Sequence, residues 1–543
     1  MSTHSLQTHT VVNQATPLEG HNAATADVAL LDGVARFGGE WGLDGLASWG
    51  ARAGDPEVVR WGELANEHEP VLHRYDRFGH RTDVVEYHPA YHGLMTEAVA
   101  GGLHAAPWAV ERPGAHVVRA ARFAVWTQVE AGHGCPISMT YSIVPALQAD
   151  AALAAEWVPR LISSAYDPGD GPAAGKAGAL AGMAMTEKQG GSDVRANTTR
   201  AITADGGHAL TGHKWFCSAP MSDLFLMLAQ APGGLSCYAV PRWLPDGTRN
   251  AIRIERLKDK LGNRSNASSE IELDGAWATP LGDEGAGVAT IIRMVNHTRL
   301  DCVIGVTGQL RAGLSQAMHH CRNRAAFGKL LAEQPLMRQV LADLAVESEA
   351  ATWTMLRLAA AYDAGDDTFA RLATAVAKYW CCKRTPMFAA EALECFGGNG
   401  YVETGPMARL FRESPLNGIW EGSGNVIALD VLRALAREPA SLAALLAEIE
   451  LAAGTDATFD AFVADLHAEL AGVAGGDPQP KARRLTERLA LALEASLLLR
   501  HSAPAVADAF CASRLARTGG TMFGALPDGA DTPAILDRAW AAA

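Results

Sequence analysis

The stretch Ala184-Met185-Thr186-Glu187-Lys188-Gln189-Gly190-Gly191-Ser192-Asp193 is the most informative part of the chain. It offers backbone N–H groups, two small hydroxyls and a glycine pair that lets a partner approach the backbone closely. These features suit a large, flat and highly oxygenated cofactor. Taken alone, the glycine pair is also typical of an ordinary surface turn, and Thr186 could be the N-cap of a helix.

A second informative element lies far downstream, at Ile419-Trp420-Glu421-Gly422-Ser423. It presents one carboxylate between an aromatic residue and a glycine. Such a group suits a base at the end of an apolar channel, where the surroundings tune its pKa for proton transfer. Glu421 could instead be a structural carboxylate close to a cofactor. The two elements together are more specific than either alone.

The length and composition describe a globular chain that is too long for a single core. The 543 residues predict two to four units, and 48% hydrophobic with 20% charged residues is usual for a soluble protein. With 46 basic and 60 acidic residues, the formal net charge is −14. This charge opposes non-specific adhesion to nucleic acid or anionic membranes. Nucleic-acid binding would therefore need a local basic patch.

The cysteines and the N-terminus bear on the cellular compartment. The nine cysteines form no C-x-x-C pair, so neither a disulfide framework nor a zinc site is indicated. The first ten residues lack the basic and apolar regions of a signal peptide. No apolar run is long enough to span a bilayer. We expect a cytoplasmic protein without a metal or a membrane partner.

Hydrophobic periodicity and turn signals divide the chain into four predicted units. Spacings of three and four residues predict helices at His116–Val129 and Ala151–Ser164. Turn pairs and alternating runs such as Glu270–Leu273 predict strands. The Ala/Leu-rich end of the chain is broken by glycines and prolines at 475–480. The predicted units are an N-terminal extension with a helical domain at 1–180, a β-sheet domain at 181–283, a helical bundle at 284–440 and a helical appendage at 441–543.

The order helical, β, helical and the two informative elements together resemble the acyl-CoA dehydrogenase superfamily. The resemblance implies an α+β fold with an N-terminal helical domain, a middle β domain and a C-terminal helical bundle, here followed by an extra helical appendage. It also implies FAD as cofactor and an acyl-CoA thioester as substrate. Glu421 matches the base that removes the α-proton, after which a hydride passes to flavin N5. Its backbone N–H then contributes to the site for the enolate oxygen.

The same resemblance assigns cofactor contacts to the first element. It implies that Met185 and Thr186 bind the pyrimidine edge of the flavin, and that Ser192 binds the phosphate region. Hydrogen bonds to that edge favour the reduced, anionic ring, which is how a protein tunes a flavin. Thr186 is also expected to face the substrate.

The segment Leu210-Thr211-Gly212-His213-Lys214-Trp215-Phe216-Cys217-Ser218 resembles the flavin-face strand of the family. Aligned on its glycine and lysine, the stacking aromatic falls on Phe216 and the hydroxyl near N5 falls on Ser218. Ser218 is therefore assigned to both cofactor and substrate. Trp215 could be a strand aromatic that faces the core.

Further elements resemble those that bind the adenosine and pyrophosphate of FAD from a neighbouring subunit. An arginine offers planar, charge-assisted hydrogen bonds to phosphate, and glycines allow close backbone approach. Sharing FAD between subunits implies an oligomer, for which we expect a homotetramer. The residues assigned to these elements are Arg324, Phe327, Gln334, Glu394, Gly397 and Gly398. Ser423 and Asn425, just after Glu421, are further expected cofactor contacts.

Some family members carry the base on an earlier helix, beside an arginine. The matching segment here is Asn296-His297-Thr298-Arg299, with Thr298 at the alternative position. This assignment leaves Glu421 as the candidate base. Arg299 is expected either to orient Glu421 or to bind the substrate.

The segment Lys258–Ser268, the start at Thr8–Gln14 and the C-terminal appendage are similar to the AidB branch of the superfamily. This branch belongs to the bacterial response to alkylating agents. The similarity implies weak activity toward short branched acyl-CoA such as isovaleryl-CoA, and double-stranded DNA binding through the C-terminal domain.

The residues give DNA binding little support. Residues 437–543 contain nine basic and fourteen acidic residues. One short basic run offers Lys481, Arg483, Arg484 and Arg488 as tentative DNA contacts, although a solvated helix face is the simpler interpretation.

Three functions remain open from the sequence. The first is an FAD enzyme that desaturates an acyl thioester and passes electrons to an electron-transfer flavoprotein or to oxygen. The second is a DNA-binding flavoprotein of the alkylation response with vestigial dehydrogenase activity. The third is a flavin-binding scaffold that has lost its reaction, which the presence of Glu421 argues against. We favour the first, as an enzyme of the AidB type.

Overall fold

The computed structural model describes residues 8–472 and 477–540. The predicted break at 475–480 lies partly outside these residues. Within them, no helix combines the length and the apolar character needed to cross a membrane. All nine cysteines lie in the described part and are free, buried thiols.

The N-terminal region is mainly helical from Val28 onward, and its first helices lie in a stretch of sequence with little hydrophobic periodicity. Asp27 caps the first helix by accepting a hydrogen bond from the backbone N–H of Leu30, and Leu30, Val34 and Leu46 are buried in the main core. The helices are α1 (Val28–Val34), α2 (Leu43–Ala53), α3 (Pro56–Glu67), α4 (Pro89–Ala100), α5 (Ala106–Ala109), α6 (Ala115–Thr127), α7 (Gly134–Leu147) and α8 (Ala151–Leu161).

A β-hairpin interrupts these helices. The sequence predicts mainly helices and loops in this region and does not predict the hairpin. It pairs β1 (Val71–Tyr75) with β2 (Arg81–Glu86) in antiparallel register. The turn is built by Asp76, whose carboxylate accepts hydrogen bonds from the backbone of Phe78 and His80, and by Gly79 at φ 87°. Such a turn is a hairpin signal in its own right.

The middle of the chain forms a seven-stranded sheet in the order β3-β6-β4-β5-β9-β7, with β8 paired to β9. Because β6 also pairs with β7, the path of strands closes on itself. Strand β3 lies parallel to β6, with Ala181 opposite Leu224. The strands are β3 (Ala181–Ala184), β4 (Arg200–Ala204), β5 (Gly207–Ser218), β6 (Leu224–Ala231), β7 (Gly234–Pro241), β8 (Ile252–Leu257) and β9 (Ser268–Leu281).

Three long helices carry the rest of the main core. They are joined by shorter helices and by a small hairpin of β10 (Ala325–Ala326) and β11 (Lys329–Leu330). The helices are α9 (Gly287–Asn323), α10 (Pro335–Asp363), α11 (Asp367–Glu394), α12 (Pro406–Glu413), α13 (Gly424–Arg437), α14 (Pro439–Glu450), α15 (Ala457–Ala471), α16 (Ala482–His501), α17 (Pro504–Phe510) and α18 (Thr532–Ala539).

The extra C-terminal helices pack onto the bundle. Helix α16 is buried along most of its length, and its apolar side chains belong to the same hydrophobic core as those of α9, α10 and α11. Two polar contacts reinforce this packing, because the buried Glu494 accepts hydrogen bonds from Trp380 Nε1 and the Cys381 thiol on α11. The helical, β and helical order with an added helical segment confirms the predicted fold class.

Candidate functional site

The glycine-rich turn after β3 is anchored from below by a buried ion pair. Glu187 and Lys214 are both almost fully shielded from solvent, and 2.8 Å separates Glu187 Oε1 from Lys214 Nζ. Glu187 also accepts hydrogen bonds from the backbone N–H groups of Thr198 and Thr199. Burial alone would raise the pKa of Glu187, but these hydrogen bonds and the lysine charge lower it. The carboxylate therefore stays ionised and fixes the turn to strand β5.

The turn places its small groups at an open surface. Ser192 is exposed, and a Cβ on Gly190 would meet no heavy atom within 4 Å. Thr186 lies between β3 and the turn, where its carbonyl accepts a hydrogen bond from the Trp215 N–H at 2.8 Å. Because no helix begins at Thr186, the N-cap interpretation is wrong. The half-buried Met185 lies beside Thr186, and its carbonyl accepts from Asn197 Nδ2 at 2.9 Å.

The end of β5 lies next to this turn. Phe216 is 50% exposed, which is unusual for a large aromatic residue in a strand. Ser218, the last residue of the strand, is half-buried. Trp215 is also half-buried, and the ammonium of Lys258 lies 3.2 Å from its ring centroid. Trp215 thus packs against a cation at the surface, and the interpretation as a core aromatic is wrong.

The loop that carries Glu421 is held in an uncommon backbone conformation. Glu421 has φ 57°, in the left-handed region that costs a non-glycine residue about 1 kcal/mol or more. Two buried cations brace it: Arg299 Nε donates to the Glu421 carbonyl at 3.1 Å, and Lys378 Nζ donates to the carbonyls of Trp420 and Gly422. The loop conformation is therefore set before any ligand arrives.

The Glu421 carboxyl points to the inside of the protein. Its Oε2 accepts a hydrogen bond from Thr298 Oγ1 at 2.7 Å. Burial raises the pKa of Glu421, while the Thr298 hydroxyl and the charges of Arg299 and Lys378 oppose the rise. A carboxyl whose pKa is raised toward neutrality is suited to proton transfer.

Arg299 acts on Glu421 through the backbone. Besides donating to the Glu421 carbonyl, its Nη1 lies 2.9 Å from Asp430 Oδ2. Asp430 is in turn paired with Arg371 at 3.0 Å. Through these contacts Arg299 holds the Glu421 backbone in place, and both expected roles of Arg299, orienting Glu421 and binding the substrate, stay predictions.

A cavity extends from the Glu421 carboxyl into the core between α6, α7 and α9. Apolar side chains form part of its wall, among them Phe123, Met139 and Cys302. Its far end is polar, with Gln309 and Glu413. The carboxyl therefore stands at one end of a partly open cavity, the position required of a base that acts on a bound chain.

The residues expected to serve a neighbouring subunit lie far from Glu421. Arg324 directly follows α9, whereas Thr298 is near its beginning, and 26 residues of helix correspond to about 39 Å. Phe327 is fully exposed at the tip of the β10–β11 hairpin, and Gln334 Nε2 donates to the Ala326 carbonyl at 3.0 Å. The distance agrees with a role in a second subunit's site, which remains a prediction.

Asn13 secures this hairpin and is a residue for which the sequence assigned no function. Its side chain exchanges two hydrogen bonds with the Ala325 backbone, at 2.7 and 2.8 Å. Its carbonyl also accepts from Arg324 Nη1. The N-terminal segment therefore helps to hold the predicted phosphate-binding arginine in place.

The other assigned cofactor residues lie at helix ends. Glu394, Gly397 and Gly398 are exposed where α11 ends, and neither glycine would bring a Cβ within 4 Å of another group. Ser423 is the N-cap residue of α13, and Asn425 is exposed in its first turn. These two residues follow Glu421 directly, so they share its neighbourhood.

The tentative DNA contacts are partly occupied by other side chains. Arg484 lies 2.5 Å and Arg488 lies 3.5 Å from the carboxylate of Glu469. Arg483 is exposed but donates to the Tyr379 hydroxyl at 3.0 Å. Lys481 is exposed. Glu469 neutralises part of the patch.

The open surface fits the FAD that the resemblance implies. Exposed small residues, the Thr186 hydroxyl and the half-exposed Phe216 ring leave room for a flat aromatic system. A Cβ on Gly191 would come within 2.4 Å of Thr186 Oγ1, so a larger residue would displace the hydroxyl expected to bind the flavin. The residues expected to hold the ring are Met185, Thr186, Phe216 and Ser218, with Ser192 at the phosphates.

Comparisons with known proteins show the family of the chain. Three family models match successive parts of the chain. The adaptive response protein AidB N-terminal domain matches residues 13–168, the acyl-CoA dehydrogenase middle domain matches 182–276 and the acyl-CoA dehydrogenase C-terminal domain matches 285–436.

Similar proteins cover almost the whole chain. The "Putative acyl-CoA dehydrogenase AidB" of Escherichia coli (strain K12) is 46% identical over 523 residues, which are 95% of this chain and 96% of the relative. Caenorhabditis elegans ACDH-11, solved in complex with C11-CoA, superposes with a TM-score of 0.85 at 26% identity, covering 95% of each chain. The "Bd2924 apo-form" superposes with a TM-score of 0.82 at 28% identity, covering 90% of this chain and 99% of that structure. The chain therefore belongs to the AidB branch of the acyl-CoA dehydrogenase family, whose homologues are FAD-dependent flavoproteins.

Proposed function

We propose that this protein oxidises an acyl-CoA thioester between its α- and β-carbons, with Glu421 as the base. One observation carries the proposal: the Glu421 carboxyl stands at the inner cavity with a raised pKa and a hydroxyl donor, on a loop braced by Arg299 and Lys378. A base requires this combination of fixed position and tuned pKa.

The chain's own residues have separate roles in this reaction. Glu421 removes the α-proton, and its backbone N–H binds the oxygen on which charge develops. Thr298 stabilises the carboxylate before the proton moves. FAD, when bound, would accept the hydride that leaves the β-carbon of the substrate. The burial that raises the pKa of the Glu421 carboxyl limits its contact with water and so favours proton transfer from the substrate.

The cellular setting proposed here follows the family. We expect a cytoplasmic homotetramer with FAD shared between subunits and an electron-transfer flavoprotein or oxygen as the electron acceptor. The proposed substrates are short branched acyl-CoA thioesters, and the activity toward them is expected to be weak. The C11-CoA bound to ACDH-11 supports an acyl thioester as the ligand class.

An anaerobic flavin titration tests the proposal. The FAD-loaded protein is mixed with a panel of straight and branched acyl-CoA thioesters, and the flavin absorbance is followed. We expect at least one thioester to bleach the flavin and to yield the corresponding enoyl-CoA. If the flavin keeps its oxidised spectrum with the whole panel, the protein is not an acyl-CoA dehydrogenase.

Thr298→Val is expected to move the pH dependence of flavin bleaching to higher pH. The Thr298 hydroxyl lowers the pKa of Glu421, so its loss raises that pKa further and leaves less of the ionised base at a given pH. A hydrogen bond to a charged group contributes about 1.5–3 kcal/mol, which corresponds to about one to two pH units. The measurement is the bleaching rate as a function of pH.

Thr307→Val is the matched control for this variant. Thr307 lies on the same helix, but its hydroxyl donates to the Val303 carbonyl at 2.9 Å, within the helix. Its pH profile should coincide with that of the unmodified protein. A Thr298→Val profile that also stays in place would show that Glu421 is not the group that titrates.

DNA binding is a second candidate function, favoured by the similarity to E. coli AidB over almost the whole chain. In this interpretation the protein responds to alkylation damage and its dehydrogenase activity is vestigial. Binding would rest on Lys481 and Arg483, since Glu469 neutralises Arg484 and Arg488. Duplex binding that weakens steeply with salt is the expected signature, and no binding even at low salt would remove this candidate.

A further inference from the structure

The cavity that begins at Glu421 meets a second cavity at its far end. The two share four lining residues: Thr127, Ala131, Gln309 and Glu413. The second cavity continues past Arg409 toward the half-buried side chains of Val59 and Glu63. Gln309 and Glu413 therefore stand between the two spaces.

Helix α9 sets the distance between the base and this polar end. Thr298, Cys302, Gly305 and Gln309 follow one another at intervals of four, three and four residues, so they share one face of the helix. From Thr298 to Gln309 the helix rises about 16 Å. A chain held at Glu421 would thus run along an apolar wall before it reaches Gln309.

The Gln309 amide is buried without a hydrogen-bond partner among the residues that the structure describes. It is 2% exposed, and within residues 8–472 and 477–540 neither Nε2 nor Oε1 makes a hydrogen bond. A buried amide left in this way carries a free-energy cost, because it has given up its hydrogen bonds to water. A purely hydrocarbon chain in the cavity would leave that cost in place, whereas a chain with a hydrogen-bonding group would remove it.

Glu413 adds a second polar group at the same place. It is 6% exposed, and its carboxyl accepts hydrogen bonds from the backbone N–H and Nδ2 of Asn263, at 2.5 and 2.8 Å. Burial and then the charge of Glu130 raise the pKa of Glu413 to about 7. At neutral pH about half of the molecules therefore carry a proton there that can be donated.

We propose that the acyl group bound by this protein carries an uncharged hydrogen-bonding group, such as a hydroxyl, at the distance from the thioester that brings it to Gln309 and Glu413. This inference rests on the proposed function, because it assumes that the thioester lies at Glu421. It narrows the substrate class from plain fatty acyl-CoA to hydroxylated acyl-CoA.

The surrounding charges favour a neutral group over a carboxylate. Glu130 and Glu413 contribute two carboxyl groups, and hydrogen bonds from His133 outweigh burial to lower the pKa of Glu130 to about 2. Arg409 supplies one positive charge in the adjoining cavity, where its Nη2 is engaged by the Val129 carbonyl at 2.9 Å. A carboxylate at the chain end could pair with Glu413 only when one of the two carries a proton, whereas a hydroxyl can pair with Glu413 in either protonation state.

The test measures binding separately from chemistry. The FAD-loaded Glu421→Gln protein, in which reaction is suppressed, is titrated with decanoyl-, dodecanoyl- and tetradecanoyl-CoA and with their ω-hydroxy counterparts, and the flavin spectral shift gives each Kd. At one of these lengths we expect the hydroxy compound to bind about tenfold more tightly than its alkyl partner.

Gln309→Leu, made in the same background, keeps a similar volume and removes both polar atoms. We expect it to abolish or reverse the preference. Met139→Leu is the matched control, since it changes an apolar part of the same wall and should affect both compounds equally. Glu413→Gln keeps a hydrogen-bonding group and should retain part of the preference.

Two results would overturn the inference: no preference for any hydroxy compound, or a preference that Gln309→Leu leaves intact. Because the titration does not require turnover, it decides the inference even if no thioester bleaches the flavin of the unmodified protein. Failure of every thioester to bind would overturn both the inference and the proposed function.

Discussion

Glu421→Gln is expected to lower the rate of flavin bleaching by acyl-CoA about 10²–10⁴-fold, the usual contribution of a positioned general base. The amide cannot take up the α-proton, but it has nearly the volume of the carboxyl and can still accept a hydrogen bond from Thr298. FAD content and thermal stability should therefore change little. Anaerobic stopped-flow absorbance, at saturating acyl-CoA, gives the rate.

Glu391→Gln provides a control for the general effect of removing a shielded carboxyl. Glu391 is half-buried on α11 and burial raises its pKa, but it lies outside the cavity at Glu421. The flavin of the Glu391→Gln variant should bleach at the same rate as that of the unmodified protein. Equal rates for Glu421→Gln and the unmodified protein would assign the proton transfer to another group.

Lys214→Met is expected to lower the free energy of unfolding by about 3–5 kcal/mol, because it leaves Glu187 as an unpaired buried charge. The turn that Glu187 anchors should loosen, so the purified protein should also contain less FAD. Urea denaturation and the flavin-to-protein absorbance ratio measure the two effects.

The pH dependence of this loss has a definite sign. The pKa of Glu187 is lower in the folded protein than its ordinary value. The stabilisation that ionised Glu187 contributes is therefore complete when the pH is above that ordinary value. It disappears as the pH falls through the lowered pKa. The stability difference between the unmodified protein and Lys214→Met should therefore be full at neutral pH and should shrink as acid protonates Glu187, first in the variant, where no lysine lowers its pKa.

The double variant Glu187→Gln/Lys214→Met tests the cause. It removes both charges, so it should be more stable than Lys214→Met alone. A double variant less stable than the single one would show that packing around Lys214, and not the unpaired carboxylate, accounts for the loss.

The sequence was sufficient for the fold order because periodicity is a local property of the chain. Alternation in Glu270–Leu273 and helical spacing in His116–Val129 both correspond to observed elements, β9 and α6. The hairpin of β1 and β2 is not predicted, because its two strands are short and lie between helices. Asp76 and Gly79 nevertheless signal its turn.

The candidate site was only partly predictable. Glu421 and Arg299 could be placed by motif, whereas Lys378 could not be linked to Glu421 because the two lie on different elements whose packing brings them together. The local sequence does not single out Lys378, because the stretch Thr374–Phe396 also carries Lys383 and Arg384. Gln309 is equally unmarked among the polar residues of α9.

Helix α9 fixes the relative orientation of three groups of residues that have proposed roles. Thr298 and Arg299 near its start face the Glu421 loop, Gln309 in its middle faces the cavity, and Arg324 follows its last turn. Deleting one residue between Arg299 and Gln309 would rotate everything beyond it by about 100° and shift it by about 1.5 Å. A substitution in this part of α9 leaves the relative orientation of its residues unchanged, whereas an insertion or deletion changes it for every residue that follows.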